Sequence, residues 1–272
     1  MKIIRQKKDL KKLISKKNSF SFIPTMGGLH KGHKNLIKRA KKINRNTLVS
    51  IFVNPKQFNS KNDFNKYPRN LKKDVNILKN LNVKYLFHPK YNDIFSFKTK
   101  NKIYIHSFSK KLCGKFRPGH FKGVLEVVNR FLELLNPKCI VLGKKDFQQL
   151  ILIKEHLKKR RIKTSVISCK TLRDKNSLPY SSRNANLKKR DKLLASKVFN
   201  LIKKEKARIK RNKIKRISLL EVKKRIYNYG IKKIDYIEEI NINSLKKAKK
   251  FNEKFNIFSA FYVGKVRLID NF

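Results

Sequence analysis

The densest chemistry in the chain lies in Pro24-Thr25-Met26-Gly27-Gly28-Leu29-His30-Lys31-Gly32-His33. An apolar run at 20–26, FSFIPTM, enters two glycines, and the apolar residues of HKNLIKRAKKIN at 33–44 recur at helical spacing. Strand, glycine turn and helix start, in that order, suit the phosphates of a nucleotide. Gly27 and Gly28 let backbone approach a ligand and adopt φ > 0. The first helical turn adds unpaired N–H groups at the positive end of its dipole. His30 and His33, three apart in that turn, share a face and can both donate to a bound anion. Two of the six histidines stand in this one turn, which an incidental surface loop explains poorly.

Such a turn works only at the end of a buried strand, and the chain supplies a series of them. The spacing predicts an amphipathic helix within 3–17, strands at 20–26 and 48–55, and helices at 33–44 and 71–82. A strand follows at 84–89, then an irregular stretch at 90–122 and a helix at 124–136. Strand 139–146, helix 147–161 and strand 164–173 close the series. Strands alternating with helices predict an α/β fold: a Rossmann-like parallel sheet with helices on both faces, spanning 1–175. Ligands of such sheets sit outside the carboxyl ends of the strands, where the histidine turn falls.

Beyond 175 the texture changes, which predicts a smaller α+β C-terminal lid domain at 176–272. Residues 177–184 read as a polar turn and 187–232 as strongly basic helix, with the lysine-rich 202–216 run a solvated face. Strands at 234–240, 258–264 and 265–271 form a short antiparallel sheet, with one crossing helix near 243–253. No internal repeat stands out.

The 272 residues carry 72 Lys+Arg against 17 Asp+Glu, a net charge of +55. At 40% apolar, spread along the whole chain, there is core enough to exclude full-length disorder. No apolar run approaches the roughly 20 residues of a membrane helix, so no membrane partner is expected. MKIIRQKKDLKKLISKK lacks the continuous apolar stretch of a secretory signal. Its basic, acid-poor face is similar to a transit peptide, yet it leads straight into a structural strand. Cys113, Cys139 and Cys169 cannot all pair and show no metal spacing. Two of them sit in apolar runs, as reduced thiols of a cytoplasmic protein do.

Charge of this size ordinarily points to nucleic acid. Here the lysines are dispersed over nearly every segment rather than gathered in a stripe. Abundant Lys, Asn and Ile with no Trp and few Ala or Gly is also what A/T-rich coding produces. Compositional drift accounts for the surplus, and no specific nucleic-acid partner is expected.

PTMGGLHKGH resembles the signature of the pantoate–β-alanine ligases (pantothenate synthetases) of the His-x-Gly-His nucleotidyltransferase superfamily. The similarity runs in order through SIFVNPKQF (50–58), YPRNLKKD (67–74), RPGHFKGV (117–124), GKKDFQQL (143–150), SSRN (181–184) and RLIDN (267–271). It covers nearly the full length. The resemblance implies a cytoplasmic homodimeric ligase with ATP as a substrate and Mg2+ as its ion. (R)-Pantoate and ATP give pantoyl adenylate and diphosphate; β-alanine then releases pantothenate, a coenzyme A precursor, and AMP. Neither Ser181 nor any cysteine is needed as a covalent nucleophile.

Residue by residue, the resemblance puts Met26, Gly27, Gly28, Leu29, His30, Lys31, Gly32 and His33 at ATP, with His33 the proton donor and His30 acting beside it. Donors at a helix end stabilise charge growing on the α-phosphate and the departing diphosphate. Gly143, Lys144, Lys145 and Asp146 match the family's Gly-Glu-Lys-Asp loop. Lys144 replaces the usual Glu, while Lys145 keeps the catalytic cation. Leu172 aligns with a backbone contact to adenine, and Ser181, Ser182 and Arg183 match a mobile phosphate clamp. Its approach, Ser177-Leu178-Pro179-Tyr180, departs from the usual Gly-Leu-Ala-Leu/Met and brings Tyr180 to the nucleotide side.

Gln57 and Gln149 match pantoate-binding positions, and Gln57 also meets β-alanine. A neutral amide donates and accepts without trapping the carboxylate in an ion pair. Asn54 either assists or is a turn-forming Asn before Pro. Arg117 and His120 match a substrate-side loop, though His120 fits a structural turn equally. Asp74 is the acidic candidate for Mg2+ where relatives often have two carboxylates; the phosphates hold much of the ion themselves.

Two other readings compete. A nucleotidyltransferase that adenylylates a phosphate ester keeps the histidine turn but lacks the Gln57/Gln149 pair, and an acceptor screen separates the two. A basic RNA- or DNA-binding protein rests on charge alone and requires steeply salt-dependent binding.

Overall fold

The computed structural model describes residues 1–15, 19–212, 219–248 and 253–272. The last residues of the helix expected within 3–17, the 213–218 part of the basic helical stretch and 249–252 lie outside that range. Contacts gather the chain into two units, Met1–Leu172 and Arg173–Phe272. The division falls three residues before the one expected at 175.

The first unit begins with β1 (Lys2–Ile4), α1 (Lys7–Ser15), β2 (Ser21–Thr25), α2 (Lys31–Ile43) and β3 (Thr47–Ile51). Then come α3 (Lys61–Asn65), α4 (Leu71–Asn80), β4 (Tyr85–Phe87) and α5 (Tyr91–Phe95). It ends with α6 (Cys113–Phe116), α7 (His120–Leu135), β5 (Cys139–Gly143), α8 (Phe147–Lys159) and β6 (Ser165–Cys169). The six strands pair in parallel in the order β1-β4-β3-β2-β5-β6.

Both faces of this sheet are covered, which is why its central strands read as unbroken apolar runs. On one face Ile23, Val49, Leu86 and Val141 pack with Ile37 and Ala40 of α2 and Leu78 of α4. On the other, Phe131 of α7 meets the rings of Phe22, Phe52 and Phe87 at 5.4, 6.2 and 6.1 Å. The order reverses between β2, which leads outward to β3 and β4, and β5, which leads to β6. That reversal opens a crevice at the carboxyl ends of adjacent strands. The histidine turn follows β2, Gly143–Asp146 follows β5, and Asn54–Gln57 follows β3.

Several expectations need correction. Ile3 and Ile4 are not helical but belong to β1, paired with Leu86 and Phe87. Strand 48–55 stops at Ile51, because Asn54 caps a short 3-10 turn at Pro55–Gln57. Strand 139–146 likewise stops at Gly143, where Lys144–Asp146 turns into α8. The helix expected from 124 starts at His120, just past Gly119 at φ +79°. The stretch 90–122 holds α5, α6 and a 3-10 turn at Ser107–Lys110.

The second unit contains α9 (Lys189–Asn212), α10 (Leu219–Asn228), β7 (Lys233–Asn241), β8 (Phe255–Val263) and β9 (Val266–Asn271). The strands form an antiparallel sheet, β7-β8-β9, with Phe199 of α9 against Phe261 at 5.0 Å. The crossing helix near 243–253 is not formed over 243–248. There Leu245 takes φ +56° and Lys247 bridges back to Ile240. Among the described residues no helix is long and apolar enough to cross a membrane.

Candidate active site

The turn after β2 is held from two sides. Thr25 Oγ1 donates to the carbonyl of Ser50 at 2.7 Å and accepts from the N–H of Gly27 at 3.2 Å. Asp74, buried in the first turn of α4, accepts from the N–H of Gly28 through Oδ2 and of Leu29 through Oδ1, each at 2.8 Å. Gly27 takes φ +78°, and a Cβ there would lie 2.9 Å from Asp74 Oδ2, so the position excludes side chains twice over.

Four residues later the chain enters α2 with histidines doing the capping. His30 Nδ1 accepts from the N–H of Gly32 at 3.1 Å, and His33 Nδ1 accepts from the N–H of His30 at 3.4 Å. This is a capping box built from two imidazoles. The rings lie 4.0 Å apart between centroids. With Nδ1 accepting in both, these bonds assign the N–H to Nε2 in both. Burial pushes His33 down to about 4, the nearby Lys145 adding to it and Asp146 opposing it. Burial, then His33 and Lys145, push His30 down to about 2. At neutral pH both rings are therefore uncharged Nε2–H donors. His33, expected as the proton donor, stands ready as a hydrogen-bond donor rather than as an imidazolium.

Gln57 closes the 3-10 turn that follows β3, with every polar atom placed. Its Nε2 donates to Met26 Sδ at 2.9 Å, and its Oε1 accepts from Asn54 Nδ2 at 3.3 Å. Asn54 also donates to the carbonyl of Gly123 at 3.0 Å and caps Lys56 N–H at 3.2 Å, so it is both turn former and amide holder. The Gln57 carbonyl accepts from His120 Nδ1 at 2.7 Å and from Arg117 at 3.1 Å. Arg117 also donates to His120 Nε2 at 3.2 Å, which puts the His120 proton on Nδ1. Here RPGHF orients a backbone carbonyl.

After β5, Lys145 Nζ lies 3.2 Å from Asp146 Oδ1, and Lys145 acts electrostatically on both histidines. Lys144 is exposed and acts with Arg39 on the Cys169 thiol, whose pKa burial raises. In DFQQL the two glutamines separate cleanly. Gln148 is buried and bonded to Cys113 N–H and to the carbonyls of Phe108 and Lys111, while Gln149 is half-buried with no side-chain hydrogen bond among the described residues. Leu172 is exposed.

In the second unit Ser181 Oγ caps the 3-10 turn Ser182–Asn186 by accepting from Arg183 N–H at 3.3 Å. The departure at 177–180 is a packing feature. Leu178 is buried in that unit's core, Pro179 bridges Arg173, and Tyr180 is half-buried.

Comparison with known proteins decides what this arrangement belongs to. The pantoate-beta-alanine ligase family model matches residues 2–272. The chain belongs to that family. Pantothenate synthetase of Francisella tularensis subsp. novicida is 40% identical over 99% of this chain and 95% of its own length. A crystal structure of pantoate-beta-alanine ligase from Francisella tularensis, complexed with beta-gamma ATP and beta-alanine, is similar at TM-score 0.84 and 38% identity. That match covers 100% of this chain and 97% of the other. The Thermus thermophilus enzyme has TM-score 0.89 at 27% identity, covering 100% and 99%.

Asp74, the acidic candidate for Mg2+, is engaged with backbone: each of its carboxylate oxygens accepts one N–H group, and among the described residues no three His, Cys, Asp or Glu side chains gather around it to hold a metal. Sequence reasoning missed Asp74 as a loop anchor and Gln148 as a loop fastener. Their partners are backbone groups of remote segments, which leave no spacing signal.

Proposed function

We propose that this ligase condenses (R)-pantoate with β-alanine at the carboxyl ends of β3, β2 and β5, ATP activating the acid. A pantoate carboxylate oxygen attacks the α-phosphorus, an O–P bond forms, and the bond to diphosphate breaks. The β-alanine nitrogen, having shed a proton, then attacks the acyl carbon and AMP departs. The pair of neutral Nε2–H donors at the start of α2 carries the reading, because it aims donors where charge grows without adding charge of its own. Lys145 supplies the cation for the phosphates. Gln57 and Gln149 offer amides to pantoate, and Gln57 passes to β-alanine afterwards.

Gly143, Lys144, Asp146, Leu172 and Tyr180 line the nucleotide in this proposal, and Ser181, Ser182 and Arg183 are assigned to phosphate on their chemistry. Mg2+ arrives on ATP as its counter-ion. The enzyme works as a cytoplasmic homodimer, a reading supported by the family alone and checked by its mass in solution. The decisive experiment is exchange of labelled diphosphate into ATP. Exchange must depend on pantoate, and His33→Ala must cut it by about 10²-fold or more. Pantoate-independent exchange, or an unaffected variant, refutes the assignment.

A further inference from the structure

We propose that Asp74 is a positioning residue for the His30–His33 pair, acting through the turn between β2 and α2. The proposal rests on the function given above, because it assigns Asp74 a part in that same adenylylation.

Asp74 is 2% exposed, and each of its oxygens receives one backbone N–H at 2.8 Å. Those N–H groups belong to Gly28 and Leu29, the two residues before His30. His30 N–H in turn donates to His33 Nδ1, and His30 Nδ1 takes Gly32 N–H. The carboxylate thus fixes the two peptide units that lead directly into His30, whose own N–H and ring then join the cap shared with His33. Charge-assisted bonds to an anionic acceptor are about twice as strong as neutral ones, so these two units are firmly held.

Thr25 Oγ1 takes the N–H of Gly27 and the Leu29 side chain is buried in the core, while the N–H groups of Gly28 and Leu29 rest on Asp74. Gly27 lies against the carboxylate so closely that even a methyl group there would stand 2.9 Å from Oδ2 and 3.3 Å from Ile51 Cγ2. One wall of the turn is therefore Asp74 itself. Without it, two N–H groups lose their acceptor and the capping histidines lose the fixed entry of the chain.

The test uses Asp74→Asn, which keeps size but turns one acceptor into a donor facing an N–H group, and Gly27→Ala, which disturbs the same contact from the other side. In each, pantoate-dependent exchange should fall roughly 10- to 100-fold, the scale of a small misplacement in a catalytic constellation. Because both variants break one contact, their double variant should lose little more than either alone. Nitrogen NMR of the folded proteins gives a readout independent of turnover. The wild-type chain should show His30 and His33 as Nε2–H tautomers, and Asp74→Asn should show mixed tautomers in both.

Full exchange in Asp74→Asn with unchanged tautomers overturns the proposal. So does a loss repaired by raising Mg2+, which makes Asp74 a metal ligand, or a loss of thermal stability with wild-type tautomers, which makes it merely structural. If wild-type exchange ignores pantoate, the functional reading fails while the tautomer comparison still decides whether Asp74 orients the pair.

Discussion

Arg173 and Asp270 stand 97 residues apart and meet in a two-pronged ion pair, the second prong at 3.0 Å, with the Asp270 carboxylate fully buried. The guanidinium also bonds the Ser177 carbonyl at 3.1 Å and lies 4.5 Å from the Phe272 ring centroid. The terminal RLIDN motif thereby fastens the segment that carries Leu178 and Pro179. Removing one partner of a buried pair strands the other charge, so Asp270→Ala should cost about 3 kcal/mol in urea unfolding. Replacing both by apolar residues, Arg173→Met with Asp270→Leu, should recover most of that. A single variant as stable as the parent contradicts the assignment.

The close approach of α7 to the Gln57 turn makes a second, sharper prediction. A Cβ on Gly123 would fall 2.2 Å from the Lys56 carbonyl oxygen and 2.9 Å from Gln57 N, backbone atoms that cannot yield cheaply. Gly123→Ala must push the helix and turn apart, at about 1–3 kcal/mol of overpacking. Gln57 moves with the turn. The KM for pantoate should rise more than the KM for ATP, and a variant with both constants intact would show that the turn does not place the amide.

The Gln57 carbonyl offers an independent handle on the same amide. Arg117→Met removes a charged donor to it and, with it, the bond that fixes the His120 ring. A hydrogen bond to a charged group is worth about 1.5–3 kcal/mol, so steady-state kinetics should show pantoate KM raised roughly 10- to 100-fold. An unchanged KM means that the guanidinium does not position the carbonyl.

What could be read from the sequence divides by range. The β2–α2 turn, the presence of β3 and β5 and the change of texture near 175 were legible because glycine, proline and apolar period act locally, whereas the ends of those two strands, Ile51 and Gly143, are set by the turns that follow. β1 was not legible, since three residues become a strand only by pairing with Tyr85–Phe87, some eighty residues on. The 243–248 segment has helix-forming Leu, Lys and Ala, yet its bridge to Ile240 overrides that preference. At the site, the side chains proposed to meet ligand were picked out by type and motif. The groups that hold them, Asp74 and Gln148, bond to backbone and could not. His33 was legible as a donor, but its neutral state follows from burial and Lys145, which only the fold brings to it.

Acid should weaken the first unit through His156. This fully buried ring accepts Tyr104 N–H on Nδ1 at 3.2 Å and donates from Nε2 to Asn129 Oδ1 at 3.1 Å. Burial, with Arg160 adding and Glu133 opposing, lowers its pKa from 6.5 to about 4. The unfolded chain then binds the proton first, so stability is whole above about pH 6.5, falls as pH drops towards 4, and levels below it. His30 and His33 act in the same direction. His156→Gln keeps an acceptor and a donor without the titration, so its urea midpoint should fall less than the parent's between pH 7 and pH 4.5. Parallel curves for the two proteins would remove His156 from the acid response.

The charge of +55 should make the fold respond to salt in a way that separates screening from recognition. Self-repulsion opposes the compact state, and the screening length shrinks from about 30 Å at 0.01 M salt to about 8 Å at 0.15 M. Thermal melting should therefore rise steadily with sodium chloride in the parent and in His33→Ala alike. ATP stabilises further by binding the folded state only, an increment that grows with the logarithm of its concentration. His33→Ala should keep the salt response and lose most of the ATP increment. If ATP raised both proteins equally, the nucleotide would be acting as one more polyanion on a basic surface, and the donors at the start of α2 would have no special claim on it.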